Sequence, residues 1–220
     1  MAKKQIHIVH AVLVKSRKAL VDRLKKVSPY VKRVQIDIID NKFAKNKTIG
    51  SQSLKNVKTK LKLEIQLMVK DVDKYVDDFI KLKPWMIIFH IESCKNKKHA
   101  EEIIKRIKKA KIKAGIALNP KTRASKVKPF LKQVNQVLVM TVKPGFGGQK
   151  FMNSVLPKIK QIRKWNKTVD IEVDGGIKQG TACLASKAGA NVFAAGGAIH
   201  KAKDIKKAVQ QLKNDAKCMM

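Results

Sequence analysis

Acidic and aromatic residues are scarce in this sequence of 220 residues, and their scarcity narrows the kinds of protein it can encode. The chain has 16 Asp or Glu residues against 50 Lys or Arg residues, which gives a formal net charge of +34. Aromatic residues make up 5% of the chain, so its core must be built from aliphatic side chains. Because 44% of the residues are hydrophobic, they suffice for one core of domain size. We therefore expect a single domain over residues 1–220.

The excess of lysine is spread over nearly every segment and is not gathered in one tail or stripe. A surface that binds nucleic acid concentrates its basic side chains and interleaves them with aromatic residues on which bases stack. The sequence shows neither arrangement, so we expect nucleic acid to bind only by non-specific electrostatic attraction. The same positive field attracts small anions, and sugar phosphates are the class of ligand that it favours.

Cysteine is also rare, and long apolar runs are missing. The odd number and the spacing of Cys94, Cys183 and Cys218 fit neither a disulfide framework nor a zinc site, which predicts a protein of the reducing cytoplasm. No stretch approaches the roughly 20 apolar residues that a membrane span needs, so we expect no membrane association. The apolar stretch near the N-terminus contains two histidines and lacks a cleavage site, which favours a first strand over a signal peptide.

Strand-like and helix-like patterns alternate along the whole chain. Eight segments have the nearly continuous apolar character of strands that are buried on both faces: 5–13, 32–39, 62–69, 85–92, 113–119, 136–142, 169–176 and 191–197. Helical patterns lie between or after them: 17–27, 71–82, 99–110, 127–134, 155–165, 181–189 and 204–213. The polar segment after the second strand, 41–60, predicts a long loop with at most a short helix.

Eight such units predict the α/β class, and a closed (β/α)8 TIM barrel is the economical arrangement at this length. A doubly wound open sheet is the alternative, but the usual dinucleotide-binding fingerprint is missing after the first strand. In a barrel, the chemistry belongs to the carboxyl ends of the strands and to the loops that follow them. This rule directs attention to the polar residues and glycines at those ends.

Two aspartates stand out at the ends of apolar strands. Alternation along a strand places Gln35 and Asp37 on one face of the second strand, and Glu172 and Asp174 on one face of the seventh. A carboxylate within an apolar strand costs free energy unless it is paired or functional. Asp37 and Asp174 are therefore the candidate catalytic pair, near the top of the barrel and on opposite sides of its axis.

Three glycine clusters follow the sixth, seventh and eighth strands. They are KPGFGGQ, DGGI and AGGAIH. Loops at these strand ends are common phosphate sites in barrels, because backbone N–H groups without side chains in front of them can converge on one anion. The alternative is that tight turns between strand and helix simply need glycine.

The stretches ALNPKT, VLVMTVKPGFGGQKF, EVDGGI and AGGAI resemble the ribulose-phosphate 3-epimerase family, and DIIDNKFAKNKTIG and LEIQLMVKDVDKYVDDFI do so less closely. The resemblance covers essentially the whole chain, and MTVKPGFGGQKF is its most specific part. It implies a TIM barrel of the ribulose-phosphate-binding type. It also implies an isomerase of the pentose phosphate pathway that interconverts D-ribulose 5-phosphate and D-xylulose 5-phosphate by inverting carbon 3.

The resemblance implies roles for individual residues. Asp37 and Asp174 match the acid/base pair of the family, in which one removes the proton beside the carbonyl to give an enediolate and the other returns a proton to the opposite face. Positions that match substrate and phosphate contacts are Met140, Gly145, Phe146, Gly147, Gly148, Gly175, Gly176, Gly196 and Gly197, and Gln66 is counted with them.

The chain departs from the family at the metal site. The family holds a divalent metal with two histidines and the two aspartates, whereas Gln35 and Gln66 stand at both histidine positions here. A serine after the first strand is also absent, with Ala11 as its counterpart, and the family's DGHF is replaced by DNKF at residues 40–43. The residues that match the family's phosphate contacts are therefore kept, whereas those that match its metal ligands are changed.

Two alternatives follow from this change. The oxygen of a Gln amide is a hard, neutral ligand, so Asp37, Asp174, Gln35 and Gln66 could hold Mg²⁺, Mn²⁺ or Ca²⁺ weakly but are poor ligands for Zn²⁺. In the other alternative no metal binds, and the amide N–H groups donate to the enediolate oxygens as an oxyanion hole. Repulsion between the unscreened aspartates then raises the pKa of one of them, which gives the acid and the base that an epimerase needs.

A metal-independent or weakly metal-dependent epimerase is the leading hypothesis. The alternatives are a phosphosugar-binding pseudoenzyme and an epimerase or isomerase of a related sugar phosphate. His90 and Glu92 share a face at the end of the fourth strand, where they either support the site or form a satisfied pair on the barrel rim. The family often forms dimers or larger oligomers, and the charge of +34 acts against self-association.

Overall fold

Eight parallel strands form a closed barrel in the computed structural model, which describes residues 4–218. Each strand pairs with its neighbours in chain order, and β8 pairs with β1. All eight predicted strands are confirmed, each shorter than the predicted segment, because the residues at their ends turn into the loops. The strands are β1 His7–Val12, β2 Arg33–Ile39, β3 Lys62–Met68, β4 Met86–His90, β5 Lys113–Leu118, β6 Gln136–Met140, β7 Asp170–Asp174 and β8 Val192–Ala195.

Helices follow most of the strands and cover the outside of the barrel. They are α1 Arg17–Val27, α2 Ser51–Leu54, α3 Val72–Ile80, α4 Lys97–Lys109, α5 Leu156–Trp165, α6 Thr181–Ala188, α7 Gly197–His200 and α8 Ile205–Ala216. Six of the seven predicted helices are confirmed, as is the short helix in the loop after β2. Within residues 4–218, no helix has the length and apolar character that crossing a membrane requires.

The helix predicted over 127–134 is wrong. The chain forms one short 3-10 turn within that span, Lys128–Phe130, and another just before it, Ala124–Lys126. Pro129 lies within the predicted span, and proline lacks the backbone N–H that would continue a helix and clashes with the preceding turn. A span of eight residues is too short to overcome that loss, because helix nucleation is costly.

The barrel interior is apolar on one side and polar on the other. Its apolar side consists of side chains from β4, β5 and β6 and the loop after β6, among them Met86, Ile88, Leu138 and Met140. Its polar side is formed mainly by inward-facing residues of β2, β3 and β7, which are buried but hydrophilic. The site therefore lies against an apolar wall, which strengthens the electrostatic interactions within it.

A layer of buried polar side chains fills the barrel near the amino ends of the strands. Arg33 pairs with Glu64, and its Nη2 donates to Gln136 Oε1 at 2.7 Å. Gln136 in turn donates to Glu172, where burial and the neighbouring Glu64 charge raise the pKa well above its ordinary value. The Arg33 guanidinium also stacks over the Trp85 ring, 4.6 Å from its centroid. This layer provides hydrogen-bond donors to Glu64 and fills the barrel at the amino ends of the strands.

A disulfide joins Cys183 on α6 to Cys218 after α8, with 5.1 Å between their Cα atoms. The prediction that cysteine spacing fits no disulfide is therefore wrong. The two residues are 35 positions apart in the sequence, and only the packing of α8 against α6 brings them together. Asp215 fixes that packing, since its Oδ2 accepts hydrogen bonds from the backbone N–H groups of Gly180 at 2.9 Å and Cys183 at 3.0 Å.

Candidate active site

A cavity of about 760 Å³ opens at the carboxyl ends of the strands. It brings together most of the residues predicted for the site: Asp37, Met140, Gly145, Phe146, Gly147, Gly148, Asp174, Gly175, Gly176, Gly196 and Gly197 all line it. Ala11, the counterpart of the missing serine, lines it as well. Gln35 and Gln66 are fully buried and contact the aspartates from inside the barrel.

Asp37 and Asp174 meet at the side-chain amide of Gln35. Gln35 Nε2 lies 2.8 Å from Asp37 Oδ1, 2.9 Å from Asp174 Oδ2 and 2.9 Å from Gln66 Oε1. An amide nitrogen carries two hydrogens, so three acceptors compete for two donors. The two carboxyl groups thus face a shared, partially positive N–H group. A proton on one of them relieves the remaining repulsion.

Gln66 connects the aspartates to His90. In one orientation its Nε2 lies 3.1 Å from His90 Nε2 and 3.1 Å from Met140 Sδ. When the amide is turned by 180°, the N–H group donates to Asp37 at 3.1 Å and to Asp174 at 3.2 Å, and the oxygen accepts from His90. The turned form also places its nitrogen 2.9 Å from the Gln35 nitrogen, a contact between two donors. In both orientations an amide N–H group lies between the carboxyl groups.

The pKa values of the two aspartates are raised to different extents. Burial and the negative charge of Asp174 raise the pKa of Asp37 well above its ordinary value, while the hydrogen bond from Gln35 opposes the shift. Burial raises the pKa of Asp174 to about 6, again against the hydrogen bond from Gln35. Because the pKa of Asp37 is raised further than that of Asp174, Asp174 ionises first as the pH rises and Asp37 keeps its proton to higher pH. The site contains one acid and one base.

The donor set around the aspartates does not fit zinc, copper or nickel. The group that faces both carboxylates is an amide N–H, which donates and cannot ligate, and no group within residues 4–218 forms a hydrogen bond with the buried Gln35 Oε1. In the described part of the chain, no three His, Cys, Asp or Glu side chains are grouped so that they could hold a metal ion. Amide oxygens are poor substitutes for the imidazole nitrogens that zinc, copper and nickel prefer.

His90 is held in place by Glu92. The distance from His90 Nδ1 to Glu92 Oε2 is 3.3 Å, and Glu92 Oε1 accepts hydrogen bonds from Thr122 and from Asn119 N, the latter at 2.7 Å. Burial would raise the pKa of Glu92, but these hydrogen bonds, the one from His90 first, outweigh it and hold the pKa below its ordinary value. Because His90 also contacts Gln66, the structure connects this pair to the site and favours the supporting role.

The glycine-rich loop after β6 is held at both ends and across its middle. Thr141 N donates to Asp174 O at 2.8 Å, so the loop begins beside the candidate base. Gln149 Nε2 closes the loop by donating to Lys143 O at 2.7 Å and to Phe146 O at 2.8 Å. Asn46, from the loop after β2, donates to Gly145 O at 2.6 Å. The sequence signals Asn46 only through its place in the family-like stretch DIIDNKFAKNKTIG.

The glycines divide into two kinds. A Cβ on Gly175 would lie 2.4 Å from a methyl group of Val142, and one on Gly176 would lie 2.5 Å from the backbone nitrogen of Phe151. Both residues also have positive φ, so close packing and turn geometry account for them. Gly147 and Gly197 line the cavity with nothing within 4 Å of where a Cβ would be. A side chain there would extend into open space that a ligand can use.

Cationic side chains that were not predicted from the sequence line the cavity wall. Arg23, Lys178 and Lys201 line the same cavity as Gly176, Gly196 and Gly197. The sequence carries no signal that separates them from the other basic residues, because 50 such residues are spread over the chain. Only the fold brings α1 and the end of α7 to the same cavity wall.

Comparison with known proteins finds a family that matches most of the chain. The chain matches the model described as "Ribulose-phosphate 3 epimerase family" over residues 7–200. Ribulose-phosphate 3-epimerase from Bacillus subtilis (strain 168) is 40% identical over 187 residues, which cover 82% of this chain and 85% of the relative. Ribulose-phosphate 3-epimerase from Escherichia coli (strain K12) is 34% identical over 189 residues, 83% of each chain.

Solved structures share the fold at much lower identity. The 3-keto-L-gulonate-6-phosphate decarboxylase from Vibrio cholerae O1 biovar El Tor is 13% identical with a TM-score of 0.75, covering 99% of this chain and 100% of that one. The 3-hexulose-6-phosphate synthase from Salmonella typhimurium is 15% identical with a TM-score of 0.71, covering 98% and 100%. These structures support the barrel, while the family match and the two sequence relatives go further and show that the chain belongs to the ribulose-phosphate 3-epimerase family.

Proposed function

We propose that this protein is an epimerase that interconverts D-ribulose 5-phosphate and D-xylulose 5-phosphate by proton transfer at carbon 3. The observation that carries the proposal is the contact of Asp37 and Asp174 through one amide, at the base of a cavity lined with glycine. The choice of substrate is supported by the names of the relatives, which are ribulose-phosphate 3-epimerases.

Inversion at carbon 3 needs a base on one face of the sugar and an acid on the other. Asp37 on β2 and Asp174 on β7 are separated by β1 and β8, so they approach the cavity from different sides. In one direction, ionised Asp174 takes the proton from carbon 3, and the electron pair moves onto the carbonyl oxygen to give an enediolate. Protonated Asp37 then delivers its proton to the opposite face. The reverse reaction starts from the other protonation state, so no proton is gained or lost overall.

The enediolate intermediate carries negative charge that needs hydrogen-bond donors. Gln35 and Gln66 provide amide N–H groups at the carboxyl pair, and one of these groups passes to the enediolate oxygen as the charge develops. A donor of this kind contributes about 3–4 kcal/mol of transition-state stabilisation in a buried site. His90 orients Gln66 and is itself fixed by Glu92. The phosphate of the substrate lies against the backbone of the three glycine clusters, where Gly147 and Gly197 leave room for it.

The pKa of Asp174 predicts an acidic limit of activity near pH 6. Below that value Asp174 gains a proton, both aspartates become acids, and no base remains, so kcat should fall about tenfold per pH unit. Because the pKa of Asp37 is raised further, an alkaline limit should appear where Asp37 loses its proton. The profile is measured in kcat at saturating substrate, since the second pKa of a phosphate monoester also lies near 6.

Carbon-13 NMR of labelled aspartate, recorded without substrate, provides the control for that profile. One resonance should titrate near pH 6 and should be absent from the Asp174→Asn variant. A limit that stays near pH 4, the ordinary range for an aspartate, would contradict the assignment of Asp174 as a base with raised pKa.

Turnover without a metal is the direct test of the proposed function. We expect the purified protein to epimerise ribulose 5-phosphate in excess chelator and to carry solvent deuterium into carbon 3 of the substrate. Metal analysis should give far less than one ion per chain. Tight stoichiometric zinc, or activity that disappears with chelator and returns with metal, would overturn the metal-independent version while leaving the epimerase reaction in place.

A designed variant supplies the positive control for that experiment. Gln35→His with Gln66→His places two imidazoles beside the two aspartates and should create a site that takes up Zn²⁺ or Mn²⁺. Gln161→His, on the exposed face of α5, adds an imidazole outside the cavity and should bind no metal tightly. The comparison shows that the metal analysis can detect an occupied site.

A phosphosugar-binding pseudoenzyme is the second candidate, favoured by the absence of both histidines at the positions of the family's metal ligands. It predicts binding of ribulose 5-phosphate with no deuterium at carbon 3 under any condition. Incorporation of deuterium into the bound sugar excludes it, because only abstraction of that proton allows the exchange.

A further inference from the structure

Arg23 is a half-buried cation that has no anionic partner in the part of the chain that the structure describes. It lies on α1, and its side chain lines the cavity. No ion pair or hydrogen bond among residues 4–218 satisfies its guanidinium, and the adjacent Asp22 pairs with Lys18 at 3.0 Å instead. Burial lowers the pKa of Arg23, and no carboxylate counteracts the shift. Removing a cation from water without a counter-charge costs free energy, which a bound anion would offset.

Two histidines contact the turn that follows β8, and the charge of Arg23 acts on both of them. His10 Nδ1 lies 3.1 Å from Ala195 O, and the backbone N–H of His200 donates to Gly196 O at 3.1 Å. Burial lowers the pKa of His10 to about 4, and the charge of Arg23 acts in the same direction, as it does at His200. Both imidazoles are therefore neutral at pH 7 and provide no counter-charge for the guanidinium.

The same histidines each leave a buried nitrogen unsatisfied. Among the described residues, His10 Nε2 and His200 Nδ1 have no hydrogen-bond partner, and His10 is completely buried. Lys201, exposed at the end of α7, adds a second positive charge to this part of the cavity wall. The surroundings of Arg23 are thus neutral or positive, next to a glycine turn whose backbone is open to the cavity.

We propose that Arg23 binds the phosphate group of the substrate, at the side of the cavity formed by Gly196 and Gly197. The planar guanidinium presents two parallel N–H groups that match two oxygens of a phosphate, which gives orientation as well as charge. Backbone N–H groups of glycine alone distinguish weakly between ligands of different charge, whereas a half-buried guanidinium favours a dianionic ligand. Arg23 is therefore a residue that selects phosphorylated over free sugars. This inference rests on the proposed function for the identity of the sugar but not for the binding of phosphate.

The experiment compares Arg23→Gln with Lys25→Gln. Both substitutions remove one positive charge from α1, but Lys25 is exposed and does not line the cavity. Binding of inorganic phosphate is measured by calorimetry at pH 8, where the histidines are neutral. We expect Arg23→Gln to weaken binding about 10- to 100-fold, the value of a charge-assisted hydrogen bond. Lys25→Gln should change it less than about twofold, because exposed charges contribute little.

Kinetics with ribulose 5-phosphate give a second readout. Arg23→Gln should raise KM by a factor similar to the loss in phosphate affinity and leave kcat within about threefold, because Arg23 does not touch carbon 3. Arg23→Lys keeps the positive charge but lacks the two parallel N–H groups of the guanidinium, so its KM should lie between those of the wild type and Arg23→Gln. It also retains a cation at this position if Arg23→Gln impairs folding.

Equal phosphate affinity in Arg23→Gln and Lys25→Gln would overturn the proposal. Because inorganic phosphate binding needs no turnover, this outcome can be told apart from failure of the epimerase assignment. A chain that binds phosphate through Arg23 but does not exchange the proton at carbon 3 would keep this inference and reject the proposed function.

Discussion

Replacing Asp37 or Asp174 with asparagine should lower kcat for epimerisation by about 10²- to 10⁴-fold, the usual contribution of a positioned acid or base. Asparagine keeps the size and the acceptor oxygen of the side chain, so the contact with Gln35 and the barrel around it should persist. Each variant loses one of the two proton-transfer groups. The forward and reverse reactions both need the pair, so turnover falls in both directions.

Proton exchange separates the roles of the two residues more sharply than turnover does. A variant without Asp37 keeps Asp174 on its own face of the sugar, and Asp174 can still remove and return the proton of one epimer. In the variant without Asp174, Asp37 can still remove and return the proton of the other epimer. We therefore expect each variant to incorporate solvent deuterium into carbon 3 of one epimer and not of the other, with opposite preferences. Proton NMR of ribulose 5-phosphate and xylulose 5-phosphate in deuterium oxide measures both reactions.

Glu172→Gln is the matched control for these variants. Glu172 lies on the same strand as Asp174 and is also buried, and because burial raises its pKa well above its ordinary value, glutamine is a close substitute for its protonated form. Its kcat should stay within about threefold of the wild type, with exchange into both epimers. If both aspartate variants exchange the same epimer, one carboxyl group serves both faces and the two-sided mechanism is wrong.

The barrel and the carboxyl pair could be predicted because their signals are local and periodic. Continuous apolar runs mark the eight strands, and alternation along β2 and β7 places Asp37 and Asp174 on the inner face. The register between strands then fixes the height at which these residues meet, as in the pairing of Asp37 with Gln66 across β2 and β3. The strands and the inward direction of these two side chains could therefore be predicted without knowing how distant segments pack.

The features that the sequence did not reveal depend on packing between distant segments. Cys183 and Cys218 come together only through the contact of α8 with α6, and spacing alone argued against a disulfide. In the sequence nothing distinguishes Arg23 from the other lysines and arginines. Only the position of α1 in the fold brings it to the cavity wall. The direction of the Gln35 amide is likewise set by two carboxyl groups on separate strands. The residue type was visible in the sequence, but its role as the bridge between the aspartates was not.

Replacing Arg33 with methionine should destabilise the protein by about 3–5 kcal/mol, the cost of removing one partner from a buried ion pair. Arg33 is the cation of the lower polar layer, where it contacts Glu64 and Gln136. Without it, Glu64 and Glu172 remain buried beside each other with no positive charge. Chemical unfolding in urea measures the change, with Arg123→Met as the control. Arg123 is exposed in the segment before the first 3-10 turn, and its replacement should cost less than about 0.5 kcal/mol.

The pH dependence of that loss identifies its electrostatic origin. Without Arg33, the buried Glu64 should bind a proton in the folded state at a pH where it is ionised in the unfolded chain. The folded variant then holds more protons than the unfolded one, so its stability falls as the pH rises above about 4.5. The difference from the wild type should be smaller at pH 5 than at pH 8. Adding Glu64→Gln to Arg33→Met should recover stability at pH 8, since it removes the unpaired charge. A loss that is the same at both pH values and is not reduced in the double variant would mean that Arg33 acts through packing on Trp85 alone.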